Sequence, residues 1–453
     1  MSEGRPAATV ARTTAVAVAT GLNYGYFGAA MAGAQLFLTP RLGLDTTAQG
    51  SLFAVPVVGM ILGTVLAGRL VTVLGRKRTL LWMAVCATVF SAASPLVAEL
   101  LWLNVTRFLL GLVMGVTSVV VPIFVAESAP TARRGRIAVL HQVATMGGIV
   151  GAFLVAYLLA DSGQWRIMLG LSAVFGVLVV VLLVPAPETP HGLALRGERA
   201  TPALGPTGGE RADPMASPLR AGRTNALREL FGPRYRRVTL FVIVLGTLVQ
   251  LTGISAVGNF SPRIFEGMGF RGPFALLVLP AVVQLAGLVA SLCSAVAVDR
   301  LGRRATLLTG TAVMALGHGL LVAAFALESV DGWGTGLGFV GLLLFTVGFN
   351  AGLGSLVWVY ASEGYSDHLR GAGATALLLP NLTANFLLAQ FFLGALVGLG
   401  GVATFGALLG ITLLTWIFLY LRAPETKDRS LAEIHAYWQN GRRWPEPATR
   451  VSP

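Results

Sequence analysis

Residues 127–135 read Glu127-Ser-Ala-Pro130-Thr-Ala-Arg-Arg134-Gly135, and residues 363–371 read Glu363-Gly-Tyr-Ser-Asp-His-Leu-Arg370-Gly371. Acid, arginine and glycine keep one spacing in both copies. Two more pairs repeat at a similar offset. Gly75-Arg76-Lys77-Arg78 returns as Gly302-Arg303-Arg304, and Pro187-Glu188-Thr189 returns as Pro424-Glu425-Thr426. A membrane bundle written twice, with charged elements along one side, is how an alternating-access carrier is built.

Composition agrees with a membrane bundle. Of the 453 residues 55% are hydrophobic and 12% charged, and mean hydropathy is +0.74. A soluble domain carries about twice that charge. The 56 glycines suit helices packed closely in lipid. A spanning helix needs about 20 mostly apolar residues. Twelve stretches qualify, near 14–38, 48–71, 79–98, 103–125, 137–160, 166–186, 238–262, 273–298, 305–327, 335–361, 371–397 and 401–421. The expected fold is an all-α membrane protein of two six-helix domains, 1–186 and 238–421. Residues 187–237 form a linker between them and 422–453 a tail. The Pro/Gly/Ala/Arg-rich part from Pro190 to Pro218 reads as flexible. Thr224 to Arg237 suits a short interfacial helix. Leu431, Ile434, Tyr437 and Trp438 suit another on the membrane surface, with disorder beyond Gly441.

The net charge is +13. Arg and Lys cluster in alternate loops, while the intervening loops hold mostly acids such as Asp45, Glu99, Asp161, Glu328 and Asp331. This is a topology signal rather than a nucleic-acid signal. By the positive-inside rule both termini and the linker are cytoplasmic. Cys86 and Cys293 lie in apolar runs and form no expected disulfide. No Ser/His/Asp constellation, metal-ligand cluster or phosphate loop is visible, so no enzyme and no cofactor are expected.

The repeated charges suggest a gate. Glu127, Arg134, Asp299, Arg303, Glu363 and Arg370 all flank loops on the basic side. Groups at such helix ends can pair across the bundle when that side closes, and so bias one state of a two-state equilibrium.

The chain resembles the sugar porter family of the major facilitator superfamily from about Gly21 to Ile434. The resemblance rests on Arg107-Phe-Leu-Leu-Gly111, Pro122, Glu127, Pro130 and Arg134-Gly135. Gln250-Leu-Thr-Gly-Ile254, Ser261-Pro262 and the two Pro-Glu-Thr signatures add to it. It implies twelve helices with a sugar held near the bilayer midplane. It also implies Gln142, Gln250, Trp358, Asn381 and Asn385 as substrate contacts. Amides donate and accept, which suits hydroxyls, and an aromatic face suits a sugar's C–H surface. Ser255, Asn259 and Asn350 stand at family site positions with changed residues. Val249, Gly287 and Leu382 lack the family's polar or aromatic group altogether. Part of the hexose set is therefore lost, and each unpaired hydroxyl costs about 1–3 kcal/mol.

Coupling reads from Asn23 and Arg107. Proton-coupled relatives are expected to carry an aspartate at the position of Asn23, facing the arginine of the fourth helix. Asn cannot titrate, and no other carboxylate falls mid-membrane in the first half. Facilitated diffusion of a sugar or sugar-like polar solute is the first reading. The second is proton symport, with His141 as the candidate proton carrier. A third is efflux of an amphipathic non-sugar compound, and a non-transporting sensor is disfavoured by the short tail. The expected setting is a monomer in the lipid bilayer of a bacterial inner membrane. Gly253, Gly352 and Gly354 are candidate hinges.

Overall fold

The computed structural model describes residues 4–96, 99–186, 228–327, 333–366 and 369–444. All regular elements among them are helical. The first half comprises α1 (Gly4–Leu42), α2 (Thr46–Leu74), α3 (Arg76–Ala93), α4 (Leu100–Ser128), α5 (Thr131–Leu158), α6 (Trp165–Gly170) and α7 (Ser172–Leu183). The second half comprises α8 (Arg236–Leu251), α9 (Ile254–Gly267), a π-helical turn (Phe274–Val278), α10 (Leu279–Leu301), α11 (Arg303–Ala326), α12 (Trp333–Ala351), α13 (Leu353–Glu363), α14 (Arg370–Gly398) and α15 (Gly400–Arg422). A last helix, α16 (Leu431–Gln439), follows.

These elements make twelve spans. The pairs α6–α7, α8–α9 and α12–α13 are each one interrupted span. Eleven spans are long and apolar enough to cross a membrane by composition. The twelfth is α1, 39 residues long. Thr20, Asn23, Tyr24, Tyr26 and Gln35 dilute its hydropathy, and it packs along α5 within the bundle.

The sequence repeat is a structural repeat. Gly75 precedes α3 at φ 84°, ψ 170°, and Gly302 precedes α11 at φ 92°, ψ 164°. A side chain would strain that backbone, so glycine is the residue for both turns. In each copy a threonine four residues on, Thr79 or Thr306, donates to the glycine carbonyl, at 2.6 and 2.7 Å. Close glycine packing also recurs. A Cβ on Gly63 of α2 would fall 2.1 Å from the Leu112 carbonyl of α4, and one on Gly317 of α11 would fall 2.5 Å from the Phe345 nitrogen of α12. Small residues let backbones approach like this, and in lipid such van der Waals contact drives helix association.

The halves meet at the end away from the basic loops. There Gln35 donates to the Asn259 carbonyl at 3.2 Å and Gln390 to that of Thr47 at 3.2 Å. Phe53 meets Phe260 edge-on at 4.8 Å, and Tyr157 meets Phe274 at 6.1 Å. A Cβ on Gly50 would lie 2.4 Å from the Gln390 carbonyl.

Two terminal readings need adjustment. The flexible linker lies outside the described residues. Residues 228–230 are helical and the seventh span begins at Arg236, so Thr224–Arg237 is no single helix where it is described. The tail helix exists, but its apolar side faces the bundle. Ile434, Tyr437 and Trp438 are buried, and Trp438 stands 5.1 Å from Phe241 of α8.

Candidate functional site

The basic end is organised by ion pairs within each half. Arg76 opens α3 and donates to Glu127 on the last turn of α4, through Nε at 3.1 Å and NH2 at 3.0 Å. Arg303 opens α11 and lies 3.6 Å from Glu363 at the end of α13. The two pairs are copies of one contact, since both arginines follow the positive-φ glycine. Each ion pair seen among the described residues joins partners of the same half. The side chains of Arg134 and Arg370 lie outside the described residues, and Asp299 is exposed.

The second half adds a clamp from Glu425. Its carboxylate accepts from the backbone N–H of Arg303 at 2.9 Å, Arg304 at 3.0 Å and Lys427 at 2.9 Å. The anion sits on the positive end of α11, where orphan N–H groups need acceptors. Tyr360 of α13 donates to the Pro424 carbonyl at 2.8 Å, and Arg304 to that of Tyr420 at 2.7 Å. The Pro-Glu-Thr signature is thus a fastening between helices. Glu188, its first-half counterpart, lies outside the described residues.

Deeper in the bundle stand the amides. Gln142, Gln250, Asn381 and Asn385 lie eleven to fifteen residues into their helices from the basic end, about 16–23 Å along the axis. That is near the middle of a hydrocarbon core about 30 Å thick. Gln250 is buried and donates to the Ser255 hydroxyl across the break at Gly253. Asn381 donates to the Gly246 carbonyl of α8 at 3.0 Å. Asn350 donates to its own helix at Thr346, 2.9 Å, and is buried. Asn385 keeps a buried Oδ1 without a hydrogen-bond partner. Gln142 is exposed, and so is Trp358, at 48%. Asn259 contributes its carbonyl to Gln35 across the halves.

These residues divide by engagement. Gln250, Asn381 and Asn350 are held by the protein, whereas Gln142, Trp358 and the Asn385 oxygen retain open bonding capacity. His141, one residue before Gln142, has Nδ1 2.8 Å from the Ala17 carbonyl of α1. A carbonyl only accepts, so Nδ1 carries the proton and the ring ties α5 to α1. His318 is also engaged, with Nδ1 3.1 Å from the Thr412 hydroxyl.

Two spans are broken beside these groups. Gly253 has φ 98°, and Thr252 ends α8 just before it. Gly352 separates α12 from α13 and packs against Gly310 of α11, so it serves both break and close packing. Arg107 of α4 is 4% exposed, 4.4 Å from the Phe27 ring centre, with Nε 3.3 Å from the Leu52 carbonyl. Phe27 follows Asn23 by one turn of α1, and the Asn23 Oδ1 is buried without a partner.

Arg76, Glu425, Gln35 and Gln390 are partners that the sequence alone does not mark as site residues. The repeated Gly-Arg motif carried a signal for Arg76. For Gln35 and Gln390 nothing in the local sequence separates a cross-half bond from a bond within one half.

The family described as "Sugar (and other) transporter" matches residues 13–438. The chain belongs to this family. It is therefore a major facilitator transporter rather than an enzyme. This sugar porter chain is 28% identical to an arabinose-proton symporter of Bacillus subtilis, over 92% of each chain. It is 29% identical to a galactose-proton symporter of Escherichia coli, over 95% of each. Its fold superposes on an inward-open structure of the E. coli xylose transporter XylE with a TM-score of 0.76 and 22% identity, covering 94% of this chain and 99% of that one. The sugar porter fold thus spans nearly the whole chain.

Proposed function

We propose that this protein moves a sugar or sugar-like polar solute across a bacterial inner membrane by alternating access, as a facilitated-diffusion carrier. Gln142, Gln250, Ser255, Asn259, Asn350, Trp358, Asn381 and Asn385 supply the substrate surface. Glu127, Arg134, Asp299, Arg303, Glu363 and Arg370 belong to the cytoplasmic gate. The basic end faces the cytoplasm by the positive-inside rule. With the halves joined at the other end, the described arrangement corresponds to an inward-facing carrier. The within-half pairs of Arg76 and Arg303 are then the inward-facing partners of the gate residues.

One observation carries the uncoupled reading. Glu127 is the single Asp or Glu within α1 to α7, and it is bonded to Arg76 at the membrane edge. The first half thus offers no mid-membrane carboxylate to load and release a proton. Proton symport is the second reading, favoured by what the named relatives carry.

The test is uptake of labelled hexoses, pentoses and polyols into proteoliposomes, with and without an inward proton gradient. Uptake that equilibrates and ignores the gradient supports the carrier. Gradient-driven accumulation replaces it with symport, and no uptake of any sugar replaces it with efflux of a non-sugar.

A further inference from the structure

Two glutamines cross between the halves at the outer closure, away from the basic loops, and they are not equivalent. Gln35 lies seven residues before the end of α1, about 10 Å inside that end. It is fully buried, and its Nε2 donates to the Asn259 carbonyl of α9. Its Oε1 is sealed from solvent and has no hydrogen-bond partner. Thr39, one turn further along α1, has a hydroxyl in the same condition. The bond from Gln390 to the Thr47 carbonyl is instead exposed, and Gln390 strands no sealed polar atom.

The two bonds act on the closure with opposite signs. A hydrogen bond contributes less in net terms than a buried polar atom costs when it is left without a partner. α1 and α9 belong to opposite halves, so opening the outer end parts Gln35 from Asn259 and admits water to both ends of the amide. Asn259 lies inside α9, where the helix N–H four residues on can serve its carbonyl. Closure therefore gives Gln35 one bond and takes the hydration from one acceptor. For Gln390, closure gives a bond at an edge that stays wet. We infer that Gln35 opposes closure of the outer end and Gln390 favours it, so that Gln35 keeps the outward-facing state within reach. This rests on the alternating-access reading given above. A ligand shifts an equilibrium only by its differential affinity for the two states, so a carrier needs states that lie close in free energy. A sealed amide with half of its bonding unmet brings them closer.

The experiment is a spin-label distance measurement across the outer end of the purified full-length protein in nanodiscs. Labels are attached through Asp161→Cys and Arg271→Cys, both exposed and on either side of the Tyr157–Phe274 contact, with Cys86 and Cys293 changed to Ala. The short distance reports the closed outer end and the long one the open end. Gln35→Met removes the bond and the stranded oxygen together, and is expected to shift the closed-to-open ratio about five-fold towards closed. Gln35→Glu puts a charge where an amide was already costly to seal, and should shift the ratio at least as far towards open. Gln390→Met loses a bond and strands nothing, so a shift of about two-fold towards open is expected. If Gln35 is a plain fastener, Met and Glu both favour the open end. That result overturns the inference, as does an unchanged ratio in Gln35→Met. A single outer distance in every variant also overturns it, since no opening then exists to wet the amide. Uptake by the labelled parent is read beside it. No uptake and no second distance count against alternating access itself, whereas uptake with the wrong order of Met and Glu counts against Gln35 alone. If Gln35→Met does not fold, Thr39→Val, which removes the neighbouring sealed hydroxyl, must shift towards closed and Gln35→Glu towards open.

Discussion

Arg76 and Glu127 are bonded at 3.0 Å inside the first half, with Arg76 side-chain exposure of 2% and Glu127 of 17%. Arg303 and Glu363 repeat the contact in the second half at 3.6 Å. Removing one partner of a buried pair strands the other charge, which costs about 3–5 kcal/mol when burial is complete. Glu127→Gln strands the buried Arg76 charge but leaves it an amide oxygen to donate to, so it is expected to cost about 2–3 kcal/mol. The measurement is Tm of the detergent-purified protein. Arg76→Gln should cost less, and the double variant less than the sum of the two. Additive losses would show that the contact contributes no coupling.

Glu425 fastens α11 by accepting three backbone N–H groups. Glu425→Ala leaves those donors without that acceptor, and loss of a helix cap costs about 0.5–2 kcal/mol. Glu425→Gln keeps an acceptor oxygen but not the charge, and should fall between. A Gln variant as unstable as Ala would mean that charge rather than hydrogen bonding holds the helix end. Transport should fall with stability in both, since Glu425 is far from the amides.

Gly253 makes the break in the seventh span at φ 98°. An added Cβ would meet the Leu408 Cδ1 at 2.9 Å. Gly253→Ala therefore carries backbone strain of about 1–2 kcal/mol and pushes on Leu408. Gln250 and Ser255 bond across this break, so the variant is expected to lose both stability and uptake. Leu408→Ala relieves the contact but not the backbone. If it restores uptake in the double variant, side-chain crowding rather than φ is the governing term.

These contacts also show what the sequence made legible. Spans, their number and the two-fold repeat follow from composition, because lipid forces long apolar helices and the charged motifs mark each turn. The breaks at Gly253 and Gly352 were visible as glycines, whereas the break before Ser172 was not, since Gly170-Leu171 looks like ordinary packing. Candidate amides were visible as residue types. What was not legible is who satisfies them. Asn381 to Gly246 and Gln35 to Asn259 join residues 135 and 224 positions apart, and no periodicity encodes such pairs. The tail helix illustrates the same limit. Its amphipathic pattern fitted a membrane surface as well as a protein groove, and the nearby Phe241 decided.

The tail helix should also be pH-sensitive in one direction. Ser430 and Glu433 form a reciprocal cap at the start of α16. The Ser430 backbone N–H, then its hydroxyl, then Arg429 hold the Glu433 carboxyl below its usual range. A depressed folded-state value means the contribution is present above the unfolded value, about 4.3, and fades as pH falls through the folded one. A spin label at Ala436 should stay immobile from pH 7 to about pH 5 and gain mobility only below the ordinary glutamate range. Glu433→Gln should remove this acid transition. A mobile label already at pH 6 would show that the cap does not hold the helix.

Within the proposed substrate surface, side chains already bonded to the protein should respond to truncation differently from those that are not. Gln142 and Trp358 are exposed, so truncating them disturbs few protein contacts. Gln142→Ala and Trp358→Ala are expected to leave Tm within about 1 °C, because exposed substitutions change stability by about 0.5 kcal/mol or less. Each should still raise the KM for the transported solute several-fold, as one lost hydrogen bond or ring contact is about 1–1.5 kcal/mol. Asn381→Ala removes the bond that ties α14 to α8 at Gly246. It should lower Tm by several degrees and depress kcat along with affinity, since the seventh and eleventh spans then lose a fixed point. Asn385 has a buried oxygen without a protein partner, so Asn385→Leu is expected to hold or raise Tm while weakening uptake. If Gln142→Ala and Asn385→Leu both transport with unchanged KM, the substrate lies elsewhere. The half-buried Thr375 and the exposed Thr383 of α14 would then be the next to probe.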